Sequence, residues 1–239
     1  VEEVYNQVIE AVAESDDALM EKFFEGEEFS EAEIREGLSK AILNGKVVPL
    51  IAGSTEKMIG LTSLLDCIIK YMPAIDDEAA NIGFRVADGY EAFEAKEDAP
   101  FSAVVFKTLA DPFLGKISIF KVLSGSISKD DKLYNASKDR DEKIASLFYL
   151  RGNEQIKTDK VVAGDIGAFA KLEATSTGDT LCTKENKILY KQVKYPKPVL
   201  FYAIKAVSRA DEDKISEALQ KLAEEDPSFN NEMNRETSQ

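Results

Sequence analysis

The sequence predicts a multi-domain α+β protein: a helix-rich α/β segment, a small β-barrel, and a β-α-β unit that opens without completing. Three observations predict it. Apolar residues recur at helical spacing up to about residue 72, alternate with period two from Pro100 to Cys182, and return to strand-then-helix order after Pro198. Glycine-bearing turns separate the middle runs at intervals of about ten residues, the rhythm of a barrel or sandwich. Charge changes with the pattern. Residues 1–98 carry 8 basic and 23 acidic side chains, residues 99–191 carry 15 and 12, and residues 192–239 carry 7 and 9.

The first segment, 1–76, reads as helices around one strand. Val4, Val8, Ala11 and Val12 share a helical face, and Leu19, Met20, Phe23 and Phe24 continue it. Ser30 with Glu33 forms a capping box ahead of Ile34, Leu38, Ala41 and Ile42, and Gly45 is placed to stop that helix. Val47 to Ala52 reads as a short strand, at an edge because of Pro49. Leu61, Leu64, Leu65, Ile68, Ile69 and Met72 line a further helix ended by Pro73. Residues 77–98, rich in Ala, Asp and Glu, read as a solvated linker.

The barrel segment, 99–193, contains strands at 101–106, 116–122, 132–134, 143–150, 161–163, 166–172 and 180–182. The last segment, 194–239, offers a strand at 198–207, a helix from about 209 to 225 opened by Ser208 and Asp211, and a candidate strand from Phe229 to Met233. A split β-α-β domain needs later strands to complete its sheet, so residues 226–239 are expected to be the least ordered.

Composition excludes several chemistries. The chain has 239 residues, a formal net charge of −14 and no histidine, so it holds no Ser-His-Asp triad and no HExxH zinc site. Its two cysteines are more than a hundred positions apart and make neither a zinc cluster nor a disulfide framework. The 239 residues contain no GxxxxGK[ST] loop and no GxGxxG. No acidic cluster suggests a metal site, and no apolar run has the length of a membrane span.

The motifs left are loops. Gly53-Ser54-Thr55 follows the expected strand and precedes a helix, where α/β folds place ligands. Asp111-Pro112-Phe113-Leu114-Gly115, Ala163-Gly164-Asp165-Ile166 and Thr177-Gly178-Asp179-Thr180 each set Gly or Pro beside Asp, which makes tight turns.

In order, Asp111-Pro112, Gly115-Lys116, Val122-Leu123-Ser124-Gly125, Tyr134-Asn135, Ala163-Gly164-Asp165-Ile166 and Thr177 to Cys182 resemble the second domain of bacterial elongation factor G. Leu219 to Pro227 resembles the first helix of its third domain. Glu25-Gly26-Glu27, Leu43-Asn44-Gly45, Val48-Pro49, Gly53-Ser54 and Leu64-Leu65-Asp66 resemble the end of its GTPase domain. The resemblance implies an α/β GTPase-domain remnant, a translation-factor β-barrel and a truncated ferredoxin-like unit, cut from a larger cytoplasmic GTPase that promotes translocation. It implies that Gly53, Ser54 and Thr55 occupy a guanine-contacting loop, with Thr55 where the family often has Ala. GTP and Mg²⁺ would be ligands of the parent, with no cofactor and no catalytic residue in this piece.

The implied partner is the ribosome, through small-subunit rRNA, with no membrane and no DNA. Candidate contacts on the net-positive barrel are Lys116, Lys121, Lys138, Arg140, Lys143 and Arg151. Leu150 to Gln155 differs from the His-Ala-Asn-Lys-Arg pattern of the main translocase and resembles the elongation-factor-G-like paralogues. A ribosomal protection protein, a release-factor-type GTPase and a stand-alone non-catalytic binding module stay open as alternatives.

Overall fold

A computed structural model describes residues 2–72, 86–208 and 211–232. The chain divides into two compact units, Val1–Gly83 and Phe84–Gln239.

The first unit is helical. Helix α1 spans Glu2–Ala13, α2 Asp17–Phe24, α3 Glu31–Leu43 and α4 Leu61–Tyr71. The apolar stripe of residues 4–24 is two helices. Asp16 accepts a hydrogen bond from the Ala18 N–H and starts α2, and its carboxylate holds Lys40 at 3.1 Å. The capping box at Ser30 forms in both directions, and the Glu33 carboxylate also binds Lys22 at 2.9 Å. Lys22 and the Ser30 donors together hold the Glu33 carboxyl down at about 2. Gly37 lets α3 approach α1, because a Cβ there would lie 2.7 Å from the Val12 methyl. The unit's buried apolar residues are Val12, Ala13 and Ala41.

The expected strand at 47–52 does not form. Val48, Leu50 and Ile51 are exposed, and the only ladder nearby among the described residues is the Ser54–Ile59 bridge. A strand exists only where another backbone accepts and donates its hydrogen bonds, and no described segment offers itself to residues 47–52. Helix α4 forms as expected and ends at an extended Met72, the conformation a following proline favours. Pro73 and the linker up to residue 85 lie outside the described residues.

Among its described residues the second unit has ten strands: β1 Ser102–Asp111, β2 Gly115–Ser124, β3 Ser126–Ser128, β4 Leu133–Asn135, β5 Arg140–Glu142, β6 Ser146–Arg151, β7 Glu154–Lys157, β8 Lys160–Val162, β9 Ile166–Ala170 and β10 Thr180–Cys182. Eight form one antiparallel sheet in the order β5-β4-β10-β1-β2-β9-β6-β7, and β3 pairs with β8. Phe101, Val105, Phe120, Val122, Ile127, Leu133, Leu147, Val161, Phe169 and Leu181 meet in one core, so both sheets wrap the same interior. Phe120 and Phe169 stack at 4.2 Å between centroids. Gly167 makes room for them, since a Cβ there would lie 2.7 Å from the Phe120 ring.

Strands β2, β6 and β9 also bury their opposite faces. Ile117, Phe148, Ala168 and Ala170 form a second cluster behind the sheet, with Leu109 and Leu150 against it. A register shift between Val105 and Lys107 lets β1 follow this curvature.

Two expectations about connectors are corrected. The described end of the linker is part of the barrel: Val86 bridges to Tyr190, the Ala87 N–H donates to the Leu189 carbonyl, and Phe93 packs on the cluster of Leu123, Tyr134 and Ile188. Residues 198–207, expected as a strand, form none. Their side chains are exposed or half-buried and no ladder reaches them, because the strands that would flank them are not offered by the described chain. Helix α5, Glu212–Glu225, follows from Asp211, to which Ser208 donates at 2.6 Å. Pro227 and Ser228 make a turn after Asp226, residues 229–232 form no strand, and Met233 onward lies outside the described residues.

Candidate functional site

Asn135 and the turn before β10, two of the features that carry the resemblance, meet in one buried polar network. Asn135, on β4, donates from Nδ2 to Asp179 at 2.9 Å and to Thr175 at 3.1 Å. Asp179 also accepts from the Ser176 N–H at 2.8 Å and lies 3.2 Å from the Lys138 ammonium. The Glu142 carboxylate accepts from the N–H groups of Glu173 and Ala174 and from the Thr175 hydroxyl. Asn135 and Asp179 are buried, so every partner matters: an unpaired polar group there costs about 1–3 kcal/mol. The network pins the 173–180 loop against β4 and β5.

A second group surrounds Tyr134. Its hydroxyl donates to Asp139 and receives Lys187 at 2.8 Å, while the Lys187 ammonium sits 4.6 Å from the ring centroid. The Tyr134 hydroxyl and then Lys187 hold the Asp139 carboxyl below its ordinary range, and Lys187 is held up by the same contacts. Beside Tyr134 lies an open cleft of about 630 Å³ between the 129–134 segment, β5 and Lys184. Its rim mixes Lys129, Lys132, Lys143 and Lys184 with Asp130, Asp131, Asp141, Glu142 and Glu185, so it presents no single sign to a ligand. The Cys182 thiol is pushed up by burial and is not poised as a nucleophile.

The six candidate cations do not converge. Lys138 is paired with Asp179 and Ser176, and Arg151 with Glu154 at 2.8 Å across the β6–β7 turn. Lys116 is half-buried at the start of β2, and Lys121 sits on β2 opposite Val104. Arg140 and Lys143, on and just after β5, are exposed neighbours at the sheet's edge, and Lys143 lines the cleft.

Gly53, Ser54 and Thr55 form the start of a turn. The Ser54 N–H donates to the Ile59 carbonyl at 2.9 Å, and the Ser54 carbonyl accepts the reverse bond at 3.0 Å. Gly53 is needed for this closure, since a Cβ would lie 2.8 Å from the Ile59 oxygen. In this arrangement the Ser54 N–H is engaged inside the turn.

The tight turn expected at Asp111 to Gly115 forms, and the exposed ring at its tip is what the sequence did not show. The Asp111 carboxylate accepts from the N–H groups of Phe113 and Leu114 at 2.9 and 2.7 Å, which fixes the β1–β2 turn and leaves Phe113 92% exposed. Beside it, Glu225 at the end of α5 accepts the Ala110 N–H at 2.7 Å and so ties α5 to the barrel. The Asp-Pro-Phe spelling was the available signal for the turn.

The model for elongation factor G domain 2 matches residues 100–184, and that for elongation factor G domain III matches residues 195–239. This chain belongs to the elongation factor G family. The crystal structure of a Thermus thermophilus protein is similar at 28% identity, with a TM-score of 0.76 over 98% of this chain. This chain covers 33% of that one, about a third of its length. The second unit thus carries domain 2 and the matched part of domain III of the elongation factor G family. Among the described residues, no group of His, Cys, Asp and Glu could hold a metal ion, and no helix is long and apolar enough to cross a membrane.

Proposed function

We propose that the chain belongs to a cytoplasmic, ribosome-associated GTPase that promotes translocation during protein synthesis, and that its barrel docks on small-subunit rRNA. The observation that supports this is the collinear succession of elongation factor G domain 2 and domain III along residues 100–239. GTP and Mg²⁺ are proposed as ligands of the intact protein, with the chemistry at phosphate-binding motifs that these 239 residues do not contain. Among the candidate contacts, Arg140 and Lys143 fit the docking role best, being exposed and adjacent, while Lys138 and Arg151 already neutralise carboxylates. The Leu150–Gln155 segment keeps a paralogue of the main translocase as the second reading: here it forms the β6–β7 hairpin closed by Arg151 and Glu154.

The test is co-sedimentation of the chain with small ribosomal subunits, beside titration calorimetry with GTP. Binding that weakens severalfold in R140E/K143E and not in R151Q supports the reading. Micromolar GTP binding by the chain alone, or no association with subunits at low salt, overturns it.

A further inference from the structure

The β1–β2 turn puts two neighbouring apolar residues in opposite settings. Leu114 is half-buried against the cluster of Ile117 and Phe148. Phe113 is 92% exposed, the most exposed aromatic side chain among the described residues. The ring is not on a loose end. Pro112 fixes its own φ, Asp111 accepts from the N–H groups of Phe113 and Leu114, and Gly115 closes the turn at φ +72°. Both strands it joins belong to the domain matched along residues 100–184, and they pair to their ends, Asp111 opposite Gly115. No unpaired strand therefore accounts for the exposure of Phe113.

The matched part of domain III meets the barrel beside this turn. β10 pairs with β1 at residues 102–104, and Gly178 and Asp179 cover Val105. Farther along, the edge of β1 offers the Ala110 N–H, which Glu225 at the end of α5 accepts at 2.7 Å. Helix α5 also faces the 176–177 turn, where Gln220, Ala223 and Pro227 meet Ser176 and Thr177 around a cleft of about 260 Å³. That turn is itself fixed: the Thr177 hydroxyl donates to Thr108 at 2.9 Å, and the Ser176 N–H donates to Asp179. Seated in this way, α5 still has apolar surface to bury. Ile215 and Leu219 are half-buried, and Leu222 is 49% exposed. An amphipathic helix covers such a stripe with a further layer, and the described chain offers none.

Three residues separate Ala110 from Phe113, a span of at most about 10 Å. A layer packed on the end of α5 would meet the exposed ring. We propose that Phe113 is the anchor on which the remainder of domain III, in the intact protein, docks against the barrel. Glu225 on the Ala110 N–H is the polar half of this joint, and the ring is its apolar half. The occupant is the protein's own domain III because the tie, the half-used stripe of α5 and the ring lie together. This chain also spans only a third of the similar Thermus thermophilus chain, which leaves room for that remainder. The joint rests on family membership and does not depend on ribosome docking.

The experiment compares hydrogen exchange of residues 212–225 in the intact protein and in the 239-residue chain, each with and without F113A. In the intact protein F113A is expected to speed this exchange at least tenfold, with F113L restoring most of the protection and the Phe120 amide unchanged. In the 239-residue chain, where the ring is exposed, F113A shifts it less than twofold. As a direct readout, position 113 in F113C reacts with iodoacetamide at least tenfold more slowly in the intact protein than in the 239-residue chain, with Cys67 and Cys182 resolved by peptide mass spectrometry. No effect of F113A on α5 in the intact protein, equal acceleration in the two chains, or equal labelling rates would overturn the proposal. So would a loss of ribosome co-sedimentation in intact F113A with α5 exchange unaltered, which would make the ring a contact for another molecule. Failure of the unsubstituted protein to bind ribosomes would refute the docking reading and leave these results to decide the joint.

Discussion

Replacing Gly125 by alanine separates steric from conformational demands at one turn. Gly125 has φ +67°, and a Cβ there would lie 2.7 Å from both the N and Cα of Phe101 and against the Ala99 carbonyl. Gly152, at φ +59°, offers the control, since nothing lies within 4 Å of its Cβ position. Both variants pay about 1 kcal/mol for a left-handed alanine. Both gain the same small amount from a stiffer unfolded chain. Only Gly125→Ala must also push the 96–101 segment away from the end of β2. That strains the Gly125 N–H bond to the Lys96 carbonyl and the Ser124 hydroxyl bond to the Pro100 carbonyl, both 2.7 Å.

At about 1 kcal/mol per bond, with a further ~1 kcal/mol for loosening the buried Phe101, the excess is about 2–4 kcal/mol. With a urea m-value near 2 kcal/mol/M, the midpoint falls about 1–2 M below that of Gly152→Ala. Unfolding is followed by the amide resonances of Phe120 and Phe169, which report the barrel core and not the helical unit. A difference under about 0.5 kcal/mol between the two variants refutes the steric account.

Asp179→Ala should cost about 2–4 kcal/mol, because it leaves the Asn135 amide and the Ser176 N–H unsatisfied and Lys138 without its carboxylate; urea unfolding measures it. Ser118→Ala should stabilise the barrel by up to about 1 kcal/mol, since the buried Ser118 hydroxyl has no partner among the described residues, and a lower melting midpoint would contradict this. Glu33 has its pKa lowered from 4.5 to about 2, so its contribution is complete above pH 4.5 and is lost as pH falls from there through about 2. Helical signal of the first unit should decline over that window, and E33Q should flatten the decline while lowering stability at pH 7. Glu225→Ala should speed hydrogen exchange at the Ala110 amide by about tenfold and leave the Phe120 amide unchanged.

Local chemistry made much of this fold legible. The Ser30–Glu33 box, the stop at Gly45 and the barrel turns are decided within a few residues, and sequence shows them. Two apolar runs, 47–52 and 198–207, misled for a shared reason: β-propensity describes what a strand needs from its neighbours, and these runs have no neighbour to pair with. Three real strands escaped notice: Ser126–Ser128, only three residues long beside the Gly125 turn, and two more for the converse reason. Arg140–Glu142 and Glu154–Lys157 are the outer strands of the sheet, and their charged residues, which hide the alternation, suit an edge that must not recruit further strands. At the site, the turn spellings were visible but their purpose was not. That Lys138 serves Asp179 forty-one positions later, or that the Ser54 N–H closes onto Ile59, depends on which chain segments the fold brings together.

The bridge between Val86 and Tyr190 places the barrel's first and last residues side by side. A module whose two ends meet can be lifted out, inserted into another chain or reopened at a different turn without rerouting its strands. Residues 86–190 are therefore built as a cassette. Whatever precedes them and whatever follows them leave from one spot, so the cassette could be exchanged between proteins while its attachments stay where they were.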